Sequence, residues 1–189
     1  MVRWFANLHS KKHAAGLLFT VLLWCGFLVL VHSPRAQAEQ PSEYRLKVAF
    51  LYNFAMYTEW PNQSSQYLAY CIYGDDPFGE HIQHLHQKKV DQQEIVVKYP
   101  QNLDALPTCQ VVFITRSVIN NLDGILKLLN GKPILTIADS PGSCQQGIML
   151  NMAISGGKVI FEANLSAAKQ NGLRLSAQLL RFANEVFQQ

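Results

Sequence analysis

Four short apolar runs, set apart by turn signals and by stretches with helical spacing, constrain this chain more than any other feature. They are 67–73 (YLAYCIY), 94–99 (EIVVKY), 111–115 (VVFIT) and 133–138 (PILTIA), rich in β-branched and aromatic residues and too short to be buried helices. After the first, Gly74-Asp75-Asp76-Pro77 turns the chain, and Asp76 as N-cap with Pro77 as first helical residue predicts a helix to about Gln87. Before the fourth, 118–129 carries Val118, Leu122, Ile125, Leu126 and Leu129 on one side, and Gly131 ends it. Strands that alternate with helices predict a parallel sheet, covered on both faces and joined by right-handed crossovers.

Ahead of these runs, 47–61 (KVAFLYNFAMYTEWP) reads as an anchoring helix. Val48, Leu51, Tyr52 and Ala55 follow one face and Phe50, Phe54 and Tyr57 the flank beside it, so the helix should be covered on most sides. Ser42 can cap it, and Trp60-Pro61 should stop it, because the residue before proline is pushed out of the helical region. Toward the other end, 148–154 and 158–164 flank Ser155-Gly156-Gly157 and read as a hairpin. Asn164 can cap a short helix to Gln170, Gly172 breaks it, and 175–187 reads as a last amphipathic helix on Leu179, Leu180, Ala183 and Val186. The expected architecture is a single three-layer α/β domain. Its largely parallel sheet is flanked by helices, and the C-terminal hairpin makes it mixed.

The first 38 residues read differently. Arg3, Lys11 and Lys12 precede an apolar run at 14–31, and Ala36-Gln37-Ala38 forms an A-x-A site, a secretory signal with cleavage expected before Glu39. The expected organisation is a signal peptide at 1–38 and one domain at 39–189. A retained anchor is the competing reading, since the apolar run is close to the roughly 18 residues that a spanning helix needs. The whole chain has 16 basic and 13 acidic residues, but Arg3, Lys11, Lys12 and Arg35 all lie in the leader. The remaining domain therefore carries 12 basic against 13 acidic residues. No basic run is left to neutralise a series of phosphates, which removes the electrostatic basis for binding nucleic acid.

Side chains capable of chemistry are present without a completed constellation. Asp75 and Asp76 at the end of the first strand resemble an acidic phosphoacceptor pocket, but Thr115 stands where that pocket needs an aspartate, and turn and capping roles account for both residues. His81 and His84 share a helical face while His86 points elsewhere, and no carboxylate or thiol at standard spacing completes a metal site. Neither a G-x-S-x-G elbow, nor a glycine-rich phosphate loop, nor H-E-x-x-H occurs. The weight falls on binding without catalysis and without a cofactor. Glu162 stands out: flanked by Phe161 and Ala163, its carboxylate must face water on an edge strand, find a donor, or meet a partner.

Seven segments in order resemble the YfiR family of small periplasmic proteins. They are K-V-A-F-L-Y-N-F-A-x-Y-T-E-W-P at 47–61, C-I-Y-G-D-D-P-F-G at 71–79, L-P-T-C-Q-V-V-F-I at 106–114, L-T-I-A-D at 135–139, G-I-M-L-N-M at 147–152, I-F-E-A-N-L-S-A-A at 160–168 and L-R-L-S-A-Q-L-L-R-F-A at 173–183. The resemblance implies a periplasmic negative regulator that binds the periplasmic domain of an inner-membrane diguanylate cyclase and lowers cyclic di-GMP and biofilm formation. It also implies an OmpA-like outer-membrane lipoprotein that sequesters the regulator, and it leaves a homodimer open. The alternative is a periplasmic small-molecule-binding module whose apolar pocket takes an aromatic metabolite and signals to another partner.

The same resemblance implies site residues. The partner surface would include Glu162, Leu165 and Ala168, with Leu150 nearby. Three cysteines follow the leader: Cys71 in a predicted strand, Cys109 just before another, and Cys144. In an oxidising compartment Cys71 is expected to pair with Cys109, as recurs in the family, with stability that depends on redox state. A second family bridge joins the position of Cys144 to a cysteine about seven residues on. Here that place is near Asn151, so Cys144 is a free thiol, an intermolecular partner, or half buried.

Overall fold

The computed structural model describes residues 43–61, 65–86 and 88–188. The expected signal segment and the Ser42 cap lie outside them. All described residues fall in one compact unit, Pro41–Gln189.

Helix α1 (Glu43–Met56) leads into the two-residue strand β1 (Thr58–Glu59). There follow β2 (Tyr67–Tyr73), β3 (Lys89–Val90), β4 (Gln93–Lys98), β5 (Val111–Ile114), helix α2 (Leu122–Leu129) and β6 (Leu135–Ala138). The hairpin β7 (Leu150–Ser155) and β8 (Lys158–Asn164) comes next, then α3 (Leu165–Gln170), β9 (Arg174–Leu175), α4 (Ala177–Leu180) and β10 (Glu185–Phe187). Eight strands form one sheet in the order β10-β8-β7-β6-β5-β2-β4-β3, and β1 pairs with β9 separately. The central pairings β4-β2-β5-β6-β7 are all parallel. Counted alone, those strands have the 2-1-3-4-5 order of a doubly wound sheet. The hairpin β7–β8 and the β3–β4 pair are antiparallel, which makes the sheet mixed.

Period-2 alternation sorts the strands onto two cores. Leu68, Tyr70, Ile72, Phe113, Ile137 and Met152 face α1, where Phe54 and Phe161 meet edge-to-face. Cys71, Val112, Ile114 and Ala138 face α2. Apolar residues on both faces are what a sheet with helices on each side requires. Gly156 and Gly157, with φ of +55° and +73°, form the two-residue hairpin turn, since both central positions of such a turn need positive φ.

Four expected helices come out differently, that at 118–129 being a 3-10 helix at Arg116–Asn121 that continues into α2. The segment after Asp76 is a 3-10 helix at Gly79–His84 followed by a turn, and the expected end at Gln87 lies outside the described residues: Asp76 Oδ1 accepts from Phe78 N at 2.8 Å, and Gly79 takes φ +52°, which breaks helical continuity. The anchoring helix ends at Met56, because Thr58 and Glu59 pair with Leu175 and Arg174. The expected last helix, 175–187, is divided. Ser176 Oγ caps the four-residue α4 by accepting from Leu179 N, and 185–187 runs parallel to β8 instead.

Candidate functional site

At the carboxyl ends of the parallel strands, the crevice where doubly wound sheets bind ligands is filled by the chain itself. Asp75 N donates to Ser117 Oγ at 2.9 Å, and Ser117 Oγ lies 2.9 Å from Thr115 Oγ1. A Cβ on Gly74 would lie 2.1 Å from Thr115 Oγ1, so the turn after β2 closes against the turn after β5. Asp75 and Asp76 are exposed, and Asp76 holds the turn.

Beside this crevice lies a buried ionic group that sequence reading missed. Lys47 Nζ is 2.6 Å from Asp139 Oδ2, and the lysine side chain is fully withdrawn from solvent. Glu43 Oε1 also contacts Lys47 Nζ, the Tyr44 ring centroid lies 5.0 Å from it, and Arg116 donates to the Asp139 carbonyl through Nε and Nη2. A lysine inside an apolar helix was the available signal, because such a charge has to find a partner.

The residues expected to meet a partner lie on β7, β8 and α3, and they do not form one surface. Leu150 and Ala168 are completely buried in the core under α1, so neither can touch a partner in this structure. Leu165 is half-buried against the same core, and Glu162 is half-buried on the opposite face of the sheet. Glu162 is not at an edge, because β10 covers β8 with Glu185 opposite Glu162. Its Oε2 accepts from Asn151 Nδ2 at 3.4 Å.

Cys71 and Cys109 form a disulfide, with Cα atoms 6.0 Å apart and both residues buried. Cys144 is free and fully buried. Burial, then the nearby Glu162 carboxylate, pushes its thiol up to about 12. Asn164 ties this turn to β8 and α3, donating from Nδ2 to Cys144 O at 2.8 Å while its Oδ1 caps α3 through Ala167 N. His84 and His86 are exposed and His81 half-buried. Among the described residues, no group of three or more His, Cys, Asp or Glu is placed to hold a metal ion.

A groove of about 520 Å³ opens between α1, the hairpin and the segment after α4. Phe50, Phe54, Tyr57, Phe161 and Phe182 line it, and Phe182 is 74% exposed. No helix among the described residues is long and apolar enough to cross a membrane.

The fold defines a three-layer α/β domain with a mixed sheet. Residues 44–184 match the family described as DUF4154, YfiR/HmsC-like, and the chain belongs to that family. Among solved structures it is similar to the ABC domain in complex with L-Trp from Streptococcus pneumonia, at 6% identity and a TM-score of 0.46, over 64% of this chain and 55% of that one. It is also similar to a conserved domain protein from Vibrio cholerae, at 10% identity and a TM-score of 0.46, over 77% of this chain and 60% of that one. The chain thus spans less than two thirds of the length of either.

Proposed function

We propose that this protein is a periplasmic, non-catalytic regulator that binds the periplasmic domain of an inner-membrane diguanylate cyclase and represses cyclic di-GMP synthesis and, through it, biofilm formation. The match to the YfiR/HmsC-like family over residues 44–184 carries this reading. Residues 1–38 would serve as the export signal, and an OmpA-like outer-membrane lipoprotein would sequester the regulator. A repressor of this kind needs only a higher affinity for the inactive cyclase than for the active one. Glu162 is its partner contact, whereas Leu165, Leu150 and Ala168 lie on the other side of the sheet and shape β7, β8 and α3. Glu162→Lys should release cyclase activity while the protein stays folded by circular dichroism. Unchanged repression by that variant counts against this surface.

The aromatic groove supports a second reading, a small-molecule-binding module that signals to another partner. Its size and apolar walls suit one aromatic metabolite. A calorimetric screen of aromatic amino acids and related metabolites tests it, and heats that are the same for Phe161→Ala and the parent protein would reject it.

A further inference from the structure

Strand β8 is paired along its whole length on one side and along only part of it on the other. It runs over Lys158–Asn164 against β7, whereas β10 meets only Glu162, Ala163 and Asn164. Among the described residues, the first half of β8 has no strand on that second side. In an antiparallel ladder, alternate residues turn their backbone N–H and C=O toward the partner strand, and the residues between turn theirs away. Two bonds fix the phase: Asn164 N donates to Met149 O at 2.8 Å, toward β7, and Asn184 N donates to Phe161 O at 2.7 Å, on the β10 side. Val159, two residues before Phe161, therefore points both its N–H and its C=O away from β7. Among the described residues no other segment bonds to either group.

This open edge forms one wall of the aromatic groove. Val159 and Phe161 line it together with Phe50 and Tyr57 of α1 and the exposed Phe182. A strand position in line with β10 is thus vacant, with apolar rings on its α1 face and free backbone groups along its side. A small aromatic molecule would fill the groove and leave the edge of β8 to water. An extended chain answers both, its backbone pairing with the edge while alternate side chains enter the groove. The charges narrow the occupant further. No charged side chain lines the groove, but Lys158 precedes Val159 and Arg181 precedes Phe182, and both cations are exposed. Among the described residues neither forms an ion pair.

We infer that the partner inserts an extended segment here as an added strand, paired with Val159, with apolar side chains in the groove and a carboxylate beside Lys158 or Arg181. The inference rests on the regulatory reading above, the segment belonging to the periplasmic domain of the cyclase. It adds a contact on the α1 side of β8 to that of Glu162 on the other face.

The test follows hydrogen exchange of the Val159 amide in the ¹⁵N-labelled protein, alone and with the periplasmic domain of the cyclase. Exchange is expected to slow a hundredfold or more in the complex. Val159→Pro removes the outward N–H and keeps the β7 ladder, which Lys158 and Ile160 carry, because proline is accepted on an edge strand whose N–H faces outward. Its affinity should fall tenfold or more with the circular dichroism spectrum unchanged, and Phe182→Ser, at a largely exposed position, should weaken binding as well. An unprotected Val159 amide in a formed complex, or equal binding by Val159→Pro, overturns the added strand and leaves the regulatory reading in place. Should Val159→Pro lose its fold, the exchange measurement on the parent protein decides. If the cyclase domain does not bind, the regulatory reading fails and a probe peptide decides the edge. The probe is an acetylated peptide of alternating valine and threonine with an aspartate at each end, and its control is the same peptide N-methylated at alternate residues. Saturable shifts of the Val159 amide with the unmethylated probe alone would uphold the docking edge, and no shift, or equal shifts from both, would overturn it.

Discussion

Lys47 on α1 and Asp139 at the carboxyl end of β6 are 92 residues apart in the chain and 2.6 Å apart in the fold. Their contact ties the first helix to the centre of the sheet. Removing one partner of a buried pair costs at most about 3–5 kcal/mol, and less where a second counter-charge stays, as Glu43 does beside Lys47. Asp139→Asn should therefore destabilise the protein by less than that amount in urea unfolding, while Lys47→Met combined with Asp139→Asn should cost less than the two separate losses summed. Strict additivity would mean that the pair is not coupled.

The Cys71–Cys109 bond closes a loop with a sequence separation of 38. The loop-entropy relation gives about 4 kcal/mol for a bridge of this span, a sizeable part of the roughly 5–15 kcal/mol that holds a typical domain folded. Protein refolded in reductant should melt well below the oxidised form, and Cys71→Ala with Cys109→Ala should melt with the reduced one. Among the described residues no other disulfide compensates. Identical midpoints for the oxidised protein and for protein refolded in reductant would refute the dependence.

Tyr70 is fully buried on β2, and among the described residues its hydroxyl has no hydrogen-bond partner. Tyr70→Phe removes that hydroxyl and keeps the ring. Stability should stay level or rise by about 1 kcal/mol, in contrast to the loss expected when a hydrogen-bonded tyrosine is truncated. Urea midpoints of the two proteins decide it.

Alkaline pH should weaken the fold through Cys144. Burial and then Glu162 raise its thiol from 9.0 to about 12, so the folded state holds the proton that the unfolded chain gives up. The contribution is complete below about pH 9 and is lost as pH rises toward 12, to a limit of roughly 4 kcal/mol. Cys144→Ala should flatten the decline of stability between pH 9 and 11. Below pH 8, native Cys144 should react with thiol reagents only as fast as the protein opens.

What was legible in the sequence followed the reach of the signal. The central strands and the Gly156-Gly157 hairpin carry their own periodicity and turn chemistry, and they appear where that chemistry places them. Residues 175–187 carry helical spacing too, but pairing with β8 overrides it, and no local pattern announces a parallel partner so short. Gly79 defeats the helix after Asp76 in the same way, since its positive φ belongs to a turn. Glu162 was legible as an uncomfortable carboxylate. Its neighbours Asn151 and Glu185 were not, because register alone brings them together.

The sulfur atoms of Cys71 and Cys109 lie sealed beneath α2 and the sheet, beyond the grasp of any oxidase acting on the finished molecule. Their oxidation has to come early, while the chain is still open, and closure of the second core then preserves the result. A copy that folds as a dithiol keeps that form for as long as it stays shut. Each molecule thus carries a record of the conditions it met on first folding, and later changes in its surroundings rewrite that record only at the pace of unfolding.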